Sequence, residues 1–481
     1  MEDSHHDTSF IRGVMIQKKE ALGLIKHKMM QLEEEAKSIE GDLIRFAAAH
    51  LPHKHNLLPN EILARIFVLA AQDYGAVSFP MPRTKIPPQL AASHVCSHWR
   101  MVALCTPKLW SNTSLHYPAD NLNVIPVVHL HQRWLMRAGI LPVTLSIKFK
   151  ESGMVAADIA CQLEKILSPF HVKRLLLDMT HEQFVALWDF PETALSRIME
   201  VELEVTVCRG GNTDINSPHH LVAQLRSVKL RGNVARCLDK LSPILPWSQL
   251  RCLEYHEDIG RLQLVVGVLR QIPMLQRLVL TTAETAIAPE ELTMPSLQEF
   301  ILETCVEMID GIELDRILRG FALPSLTKFS LYTKAYWTSD TYEIIKRQYN
   351  LQKLQEVGFL GCFTLPVSFV LYNSPMLHSL RLDYDAILDD DAITGISNGT
   401  LGRFLKVLEL STACDRDIEE VLGMANARKK TVDRLIENGC TWKEEVTVLS
   451  YIEIDGEYDI DKYKEKVKAL RAQGIEIHVI R

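Results

Sequence analysis

The sequence predicts an α/β protein: an N-terminal helix, a small all-α module, and a long array of strand–helix repeats closed by a C-terminal unit. Three observations predict this. An apolar heptad runs through the first fifty residues, a dense set of apolar helical stripes lies between Leu57 and Trp110, and one apolar triplet recurs nine times from Val172 to Leu410. At 481 residues the chain has room for a small module followed by an elongated array.

Composition limits the function classes. Hydrophobic residues make up 47% and charged residues 23%, a globular balance. The net charge of −7 gives no support to nucleic-acid binding, which calls for a basic face. No apolar run approaches the roughly 18 residues of a membrane span, so no membrane partner is expected. Leu262 to Leu269 reads as a short buried strand or helical turn. The first residues, with Glu2, Asp3, His5, His6 and Asp7, lack the basic region and apolar core of a secretory signal. Ten scattered cysteines are then expected as reduced thiols. The expectation is a soluble cytoplasmic or nuclear protein.

Residues 1–13 read as a polar, disordered tail. Over 14–50, Leu22, Ile25, Met29, Leu32, Ala36, Ile39, Leu43 and Phe46 follow at alternating steps of three and four, a heptad seam. The helix carrying it could pair with a second copy or fold back on the helices that follow; Ala36 and Gly41 weaken the seam. His50-Leu51-Pro52-His53 ends it.

The next segment, 55–117, opens with Leu57-Leu58-Pro59-Asn60-Glu61-Ile62-Leu63. Pro59 suits a helix start, and Ile62, Leu63, Ile66, Phe67 and Ala70 then recur at helical spacing. A second helix is expected to carry Leu90, Val95, Cys96, Trp99, Val102 and Ala103 until Pro107 stops it. So few short helices cannot bury all of this apolar surface against one another. Leu58-Pro59, Glu61, Leu63, Ile66, Val95-Cys96, Trp99-Arg100, Pro107 and Trp110 together resemble the F-box, a helical module that docks on the Skp adaptor of cullin-based ubiquitin ligases. The resemblance is strongest to F-box proteins abundant in mushroom-forming (basidiomycete) fungi. One departure stands out: Asp73 to Pro88 is longer than the usual connection and holds four prolines, an enlarged turn that leaves adaptor binding open.

Residues 118–169 read as a connecting segment, with an apolar helix around Val127 to Ala138 and an alternating strand at Leu141 to Ile147. From 170 to 440 the triplet appears at Val172/Leu175/Leu177, Leu225/Val228/Leu230, Leu250/Leu253/Tyr255, Leu275/Leu278/Leu280 and Leu297/Phe300/Leu302. It returns at Leu326/Phe329/Leu331, Leu354/Val357/Phe359, Leu377/Leu380/Leu382 and Leu405/Leu408/Leu410. Starts from Leu225 lie 25, 25, 22, 29, 28, 23 and 28 residues apart, the period of a leucine-rich-repeat solenoid or horseshoe. Pro or Trp-Ser steps before several strands break the preceding helix. A degenerate unit is expected around Ile198 to Val207. In the closing unit, 441–481, Val446 to Ile454 reads as a strand, Lys462 to Gln473 as a helix and Ile475 to Ile480 as a last strand, preceded by a polar helix at Arg428 to Asn438. Such a unit covers the end of a solenoid core.

The F-box resemblance implies adaptor contacts at Leu58, Pro59, Leu63, Ile66, Val95 and Trp99; the competing reading makes these the module's own core. Phe67 and Trp110 are assigned inside. Side chains between the inward leucines form a concave row expected to bind a protein target, with Arg277, Glu299, Glu303, Lys328, Tyr332, Arg381, Asp383 and Glu409 its charged and aromatic members. No catalytic or cofactor motif appears. His94, Cys96, His98 and Cys105 lack the paired Cys-x-x-Cys of a zinc site, and Asp389-Asp390-Asp391 reads as a helix start. The function expected is a non-catalytic receptor subunit that joins Skp, and through it cullin, to an unidentified protein substrate. The alternative is a repeat scaffold without ligase function.

Overall fold

The computed structural model describes residues 58–81, 85–117, 124–149, 156–180, 183, 197–206, 224–232, 245–256, 262–282, 291–304, 311–363, 365–383, 386, 388–411, 415–438, 446–455 and 460–480, with isolated positions between Lys26 and Asp42. It divides into two compact units, residues 1–71 with 88–105 and residues 72–87 with 106–481.

In the first unit, the described positions between Lys26 and Asp42 are helical. Ile39 is the seam residue among them; the rest of the heptad seam and the tail 1–13 lie outside the described residues. Helix α1 spans Asn60–Tyr74. Pro59 sits just ahead of it and starts it with its carbonyl, which accepts from Ile62 N at 3.0 Å and Leu63 N at 3.1 Å. Gly75 ends it in a left-handed turn at φ 83°.

The expected second helix is two helices, α2 (Pro88–Val95) and α3 (Ser97–Leu104). Cys96 breaks the run: its backbone is extended, and its Sγ accepts from Trp99 N at 3.4 Å, taking the N-cap place of a hydroxyl or carboxylate. Arg100 Nε donates to Ser93 O at 2.8 Å and ties α3 back to α2. Leu63, Phe67, Ala92, Val102 and Ala103 are buried. The Phe67 and Trp99 rings pack with centroids 5.0 Å apart.

The second unit is built on β1 (Val77–Phe79), β2 (Asn112–His116), α4 (Val124–Leu135), β3 (Val143–Lys148), α5 (Ala156–Leu167), β4 (Val172–Thr180), β5 (Glu200–Thr206), β6 (Ser227–Gly232), β7 (Cys252–His256), α6 (Leu262–Leu269) and β8 (Arg277–Thr282). It continues through β9 (Leu292–Thr293), β10 (Glu299–Thr304), α7 (Ile312–Arg319), β11 (Phe321–Ala322), β12 (Lys328–Tyr336), α8 (Ser339–Gln348), β13 (Glu356–Phe363), α9 (Val367–Asn373) and β14 (Ser379–Leu382). It closes with α10 (Asp390–Asn398), β15 (Val407–Ser411), α11 (Asp415–Glu437), β16 (Tyr451–Asp455), α12 (Lys464–Ala472) and β17 (Glu476–Ile480). Fifteen of these strands form one sheet in chain order, and β9 pairs with β11 in a separate two-stranded sheet. Neighbours in the large sheet are parallel, so each step requires a crossover, and many of the crossovers carry a helix.

Register explains the triplets. Their second members align from strand to strand as Leu253, Leu278, Phe300, Phe329, Val357, Leu380 and Leu408. All of these are buried, with Phe329 stacked 6.0 Å from Phe300 and edge-on at 5.9 Å to Phe359. A period of two along each strand, repeated in register, gives one apolar layer. The expected degenerate unit holds β5, paired to β4 and β6.

Three further sequence expectations change. Asp73–Pro88 is more than an enlarged turn, because Val77–Phe79 pairs with Thr113–Leu115 and begins the sheet. Trp110 is buried, but in the second unit's core, where its ring meets Trp134 at 4.6 Å while Phe79 meets Trp134 at 5.4 Å and His131 at 5.2 Å. The polar helix at 428–438 is the end of the longer α11, and Arg428 on it is fully buried. Its guanidinium donates to the carbonyls of Thr447 (2.8 Å), Ile396 (2.9 Å), Gly402 (2.7 Å) and Arg403 (2.9 Å). Carbonyls near the end of α10 and in the following loop need donors, and one planar cation serves several at once. Burial lowers this group to about 10, so it stays charged at neutral pH.

Candidate functional site

Helix α1 is apolar on two faces. Leu63 and Phe67, four residues apart, point into the first unit's core. Ile62, Ile66 and Leu69, at steps of four and three, form a second stripe that stays exposed. A helix apolar on both faces is normally buried on both. Leu58 before α1, Val95 at the end of α2, and Met101 and Leu104 on α3 are exposed as well. Seven large apolar side chains on so small a unit exceed the scattered singles a soluble surface carries.

The six residues expected to contact an adaptor divide accordingly. Leu58, Pro59, Ile66 (46%) and Val95 (55%) are exposed. Trp99 is half-buried against Phe67, and Leu63, at 1%, is core. Leu63 therefore positions the stripe from inside and presents no surface of its own. Ile62, Leu69, Met101 and Leu104 were missed. The signal that could have found Ile62 and Leu69 is the doubled helical stripe of α1, since Ile62 and Ile66 repeat at the same step as Leu63 and Phe67.

On the large sheet, the eight face residues lie where the triplet frame puts them, between buried leucines, but most engage one another sideways. Arg277 is held between Glu254 and Glu299, 3.1 Å from Glu299 Oε2. Thr281 donates to Glu303 at 2.8 Å, and Lys328 pairs with Glu356 at 2.7 Å. Arg381 pairs with Glu409 at 3.5 Å, and the Asp383 carboxylate accepts from Gly361 N. Tyr332 lies half-exposed on the same face. The ladder reaches strands whose face residues went unassigned: Arg174 meets Glu202 at 3.2 Å, as does Arg231, and Lys229 meets Glu254 at 2.5 Å. Burial would raise the Glu254 carboxyl, but hydrogen bonds from Lys229 and Arg277 hold it at about 2. Toward the chain's end the balance turns acidic. Glu409 faces Glu453 in register, and β15, β16 and β17 contain no Lys or Arg. A hydrogen bond to Glu453, with burial and neighbouring carboxylates adding to it, pushes the Tyr451 phenol up to about 12.

His94 and His98 sit on different helices, α2 and α3. No group of three or more His, Cys, Asp or Glu side chains among the described residues is placed to hold a metal. Asp389 caps α10, accepting from Ala392 N at 2.8 Å, and also accepts from Ser368 N at 2.9 Å. No helix among the described residues is long and apolar enough to cross a membrane.

No curated protein matches the chain. Residues 55–116, from just before α1 to the end of β2, match the F-box-like family. The exposed stripe and the helices that carry it thus belong to an F-box-like domain.

Proposed function

We propose that the chain is a non-catalytic receptor subunit of a Skp–cullin–F-box ubiquitin ligase. The observation that carries this is the exposed stripe Ile62, Ile66 and Leu69, continued by Leu58 and Val95, on the F-box-like domain. Seating it against the adaptor's apolar surface removes an unfavourable water contact, and Leu63 and Phe67 hold α1 rigid from the other side. The strand–helix array is read as leucine-rich repeats whose sheet face binds a protein target. Catalysis then comes from proximity, the target being held near a charged conjugating enzyme. Because the face charges already satisfy one another laterally, target affinity is assigned to a few anchors and not to the charge ladder. The β1 segment lengthens the α1–α2 connection while leaving the exposed residues on α1 and α3.

Mixing the purified chain with a Skp adaptor and separating the mixture by size tests the reading. A one-to-one complex at micromolar concentration is expected, weakened by Ile66→Asp and by Val95→Asp. Separate elution of the two proteins sinks the ligase reading. Lengthened lifetime of a captured target on deletion of the gene then separates a ligase receptor from a repeat scaffold.

A further inference from the structure

Gln224-Leu225-Arg226 and Gln249-Leu250-Arg251 repeat one tripeptide 25 residues apart, just ahead of β6 and β7. Main-chain register sets the two copies side by side, with Arg251 N donating to Arg226 O at 2.8 Å. Leu225 and Leu250 are buried, which turns the flanking glutamines and arginines outward. Gln224, Arg226 and Arg251 are exposed, and Gln249 is half-buried. With Leu225 and Met274 they line a groove of about 230 Å³ at the strand-entry end of the sheet.

These arginines differ from those on the sheet face. Arg174, Arg231, Arg277 and Arg381 each meet a glutamate there. Neither Arg226 nor Arg251 has a side-chain ion pair or hydrogen bond among the described residues. The same two positions hold His171 and Lys173 ahead of β4, then Arg197 and Met199 ahead of β5. Met199 N donates to Lys173 O and Arg226 N to Met199 O, each at 2.9 Å, so the four entries form one row. His171, Lys173 and Arg197 are exposed, and no Asp or Glu occupies either position from β4 to β7. Ahead of β8 and β10 the positions turn neutral, Met274 with Gln276 and Ser296 with Gln298.

We propose that this groove binds an acidic protein segment, one carrying a run of Asp or Glu side chains. Like charges on adjoining strands repel, and Arg226 and Arg251 stand on neighbouring entries with Lys173 and Arg197 beyond them. Carboxylates laid across the row relieve that repulsion and accept from the guanidinium forks, while the Gln224 and Gln249 amides supply further donors. Spacing selects the form of the ligand. Four entries about 4.8 Å apart cover roughly 14 Å, which an extended peptide crosses in about four residues. A row of separate cations suits a row of separate carboxylates, whereas one compact phosphate calls for arginines converging on a point. Single-stranded nucleic acid calls for aromatic platforms, and the apolar walls here are Leu225 and Met274. This site needs neither the Skp adaptor nor the sheet face, so its failure would leave the ligase reading standing.

Fluorescence anisotropy of labelled hexaglutamate, titrated with the full purified chain at low salt, tests it. Saturable binding that weakens as salt rises is expected. Arg226→Gln/Arg251→Gln should weaken it about tenfold at an unchanged melting temperature, since neither side chain has a folded partner to lose. Lys346→Gln/Arg347→Gln removes the same charge from exposed positions on α8 and should bind as wild type does. No binding of hexaglutamate by the wild type overturns the proposal, as does equal binding of hexaglutamine. Equal loss in the two double variants reduces the effect to general charge attraction and overturns it too. Tighter binding of a hexaglutamine bearing one phosphoserine, or of an oligothymidine, would overturn the assignment to carboxylates.

Discussion

Replacing Ile66 by Asp tests the exposed stripe without touching the core that supports it. Ile66 is 46% exposed, so roughly half of the 1.5–3 kcal/mol gained by full burial of an aliphatic side chain remains to be gained at an interface, about 1 kcal/mol. The Asp carboxylate would also be desolvated against an apolar partner, at a cost of several kcal/mol. Together the loss is at least about 3 kcal/mol, on the order of a hundredfold in affinity for the adaptor. Folding should be little affected, since helix propensity costs less than about 1 kcal/mol at an exposed site. Leu63→Ala is the counterpart: at 1% exposure it should cost about 2–5 kcal/mol of stability in the first unit through the cavity it leaves. Calorimetric titration of the adaptor, beside thermal melts followed by circular dichroism, separates the two effects. Wild-type affinity for the adaptor in Ile66→Asp would refute the reasoning.

Other perturbations probe the second unit. Arg277→Ala removes the cation shared by Glu254 and Glu299, while Glu254 keeps Lys229; because the Arg277 side chain is 36% exposed, solvent screening limits the cost to about 1 kcal/mol or less, read as a slightly lower denaturant midpoint. Glu254 is held below its ordinary value, so its contribution is present above about pH 4.5 and is lost as pH falls toward 2; Arg277→Ala should shrink that acid loss. Burial lowers His131, whose Nε2 lies 2.8 Å from Thr113 Oγ1, to about 4. Because the folded value lies below the free one, stability should be full above pH 6.5 and fall between 6.5 and 4, and His131→Gln should flatten melting temperature against pH over that window. Arg428→Met orphans several buried carbonyls and should cost about 3 kcal/mol or more, seen as faster hydrogen exchange in α10 and residues 446–455.

Much of this architecture is legible in the residues because it rests on periodicity. The strand-by-strand alignment from Leu253 to Leu408 follows from a triplet with a period of two, and helix α1 shows in Ile62, Leu63, Ile66 and Phe67 at helical spacing. What escaped depends on contacts far apart in sequence. Val77-Ser78-Phe79 is three residues among prolines, and only pairing with Thr113–Leu115 makes it a strand. Cys96 sits within a continuous apolar pattern, and its use as an N-cap becomes clear only where the backbone turns extended. Arg428 belongs to a segment rich in charge, and its burial is imposed by carbonyls some twenty to thirty residues away. At the candidate site, Ile66 and Val95 are exposed, as a contact with a partner requires, whereas Leu63 shares their apolar character and faces inward. Composition does not distinguish these, because both faces of α1 are written in the same residue types.

The most direct measurement is hydrogen–deuterium exchange of the full chain with and without purified Skp adaptor. Slowed exchange confined to α1, the end of α2 and α3, with the large sheet unchanged, is the predicted result. Exchange in those three helices that the adaptor leaves unaltered, at concentrations where an interface of this size should be filled, would contradict the account.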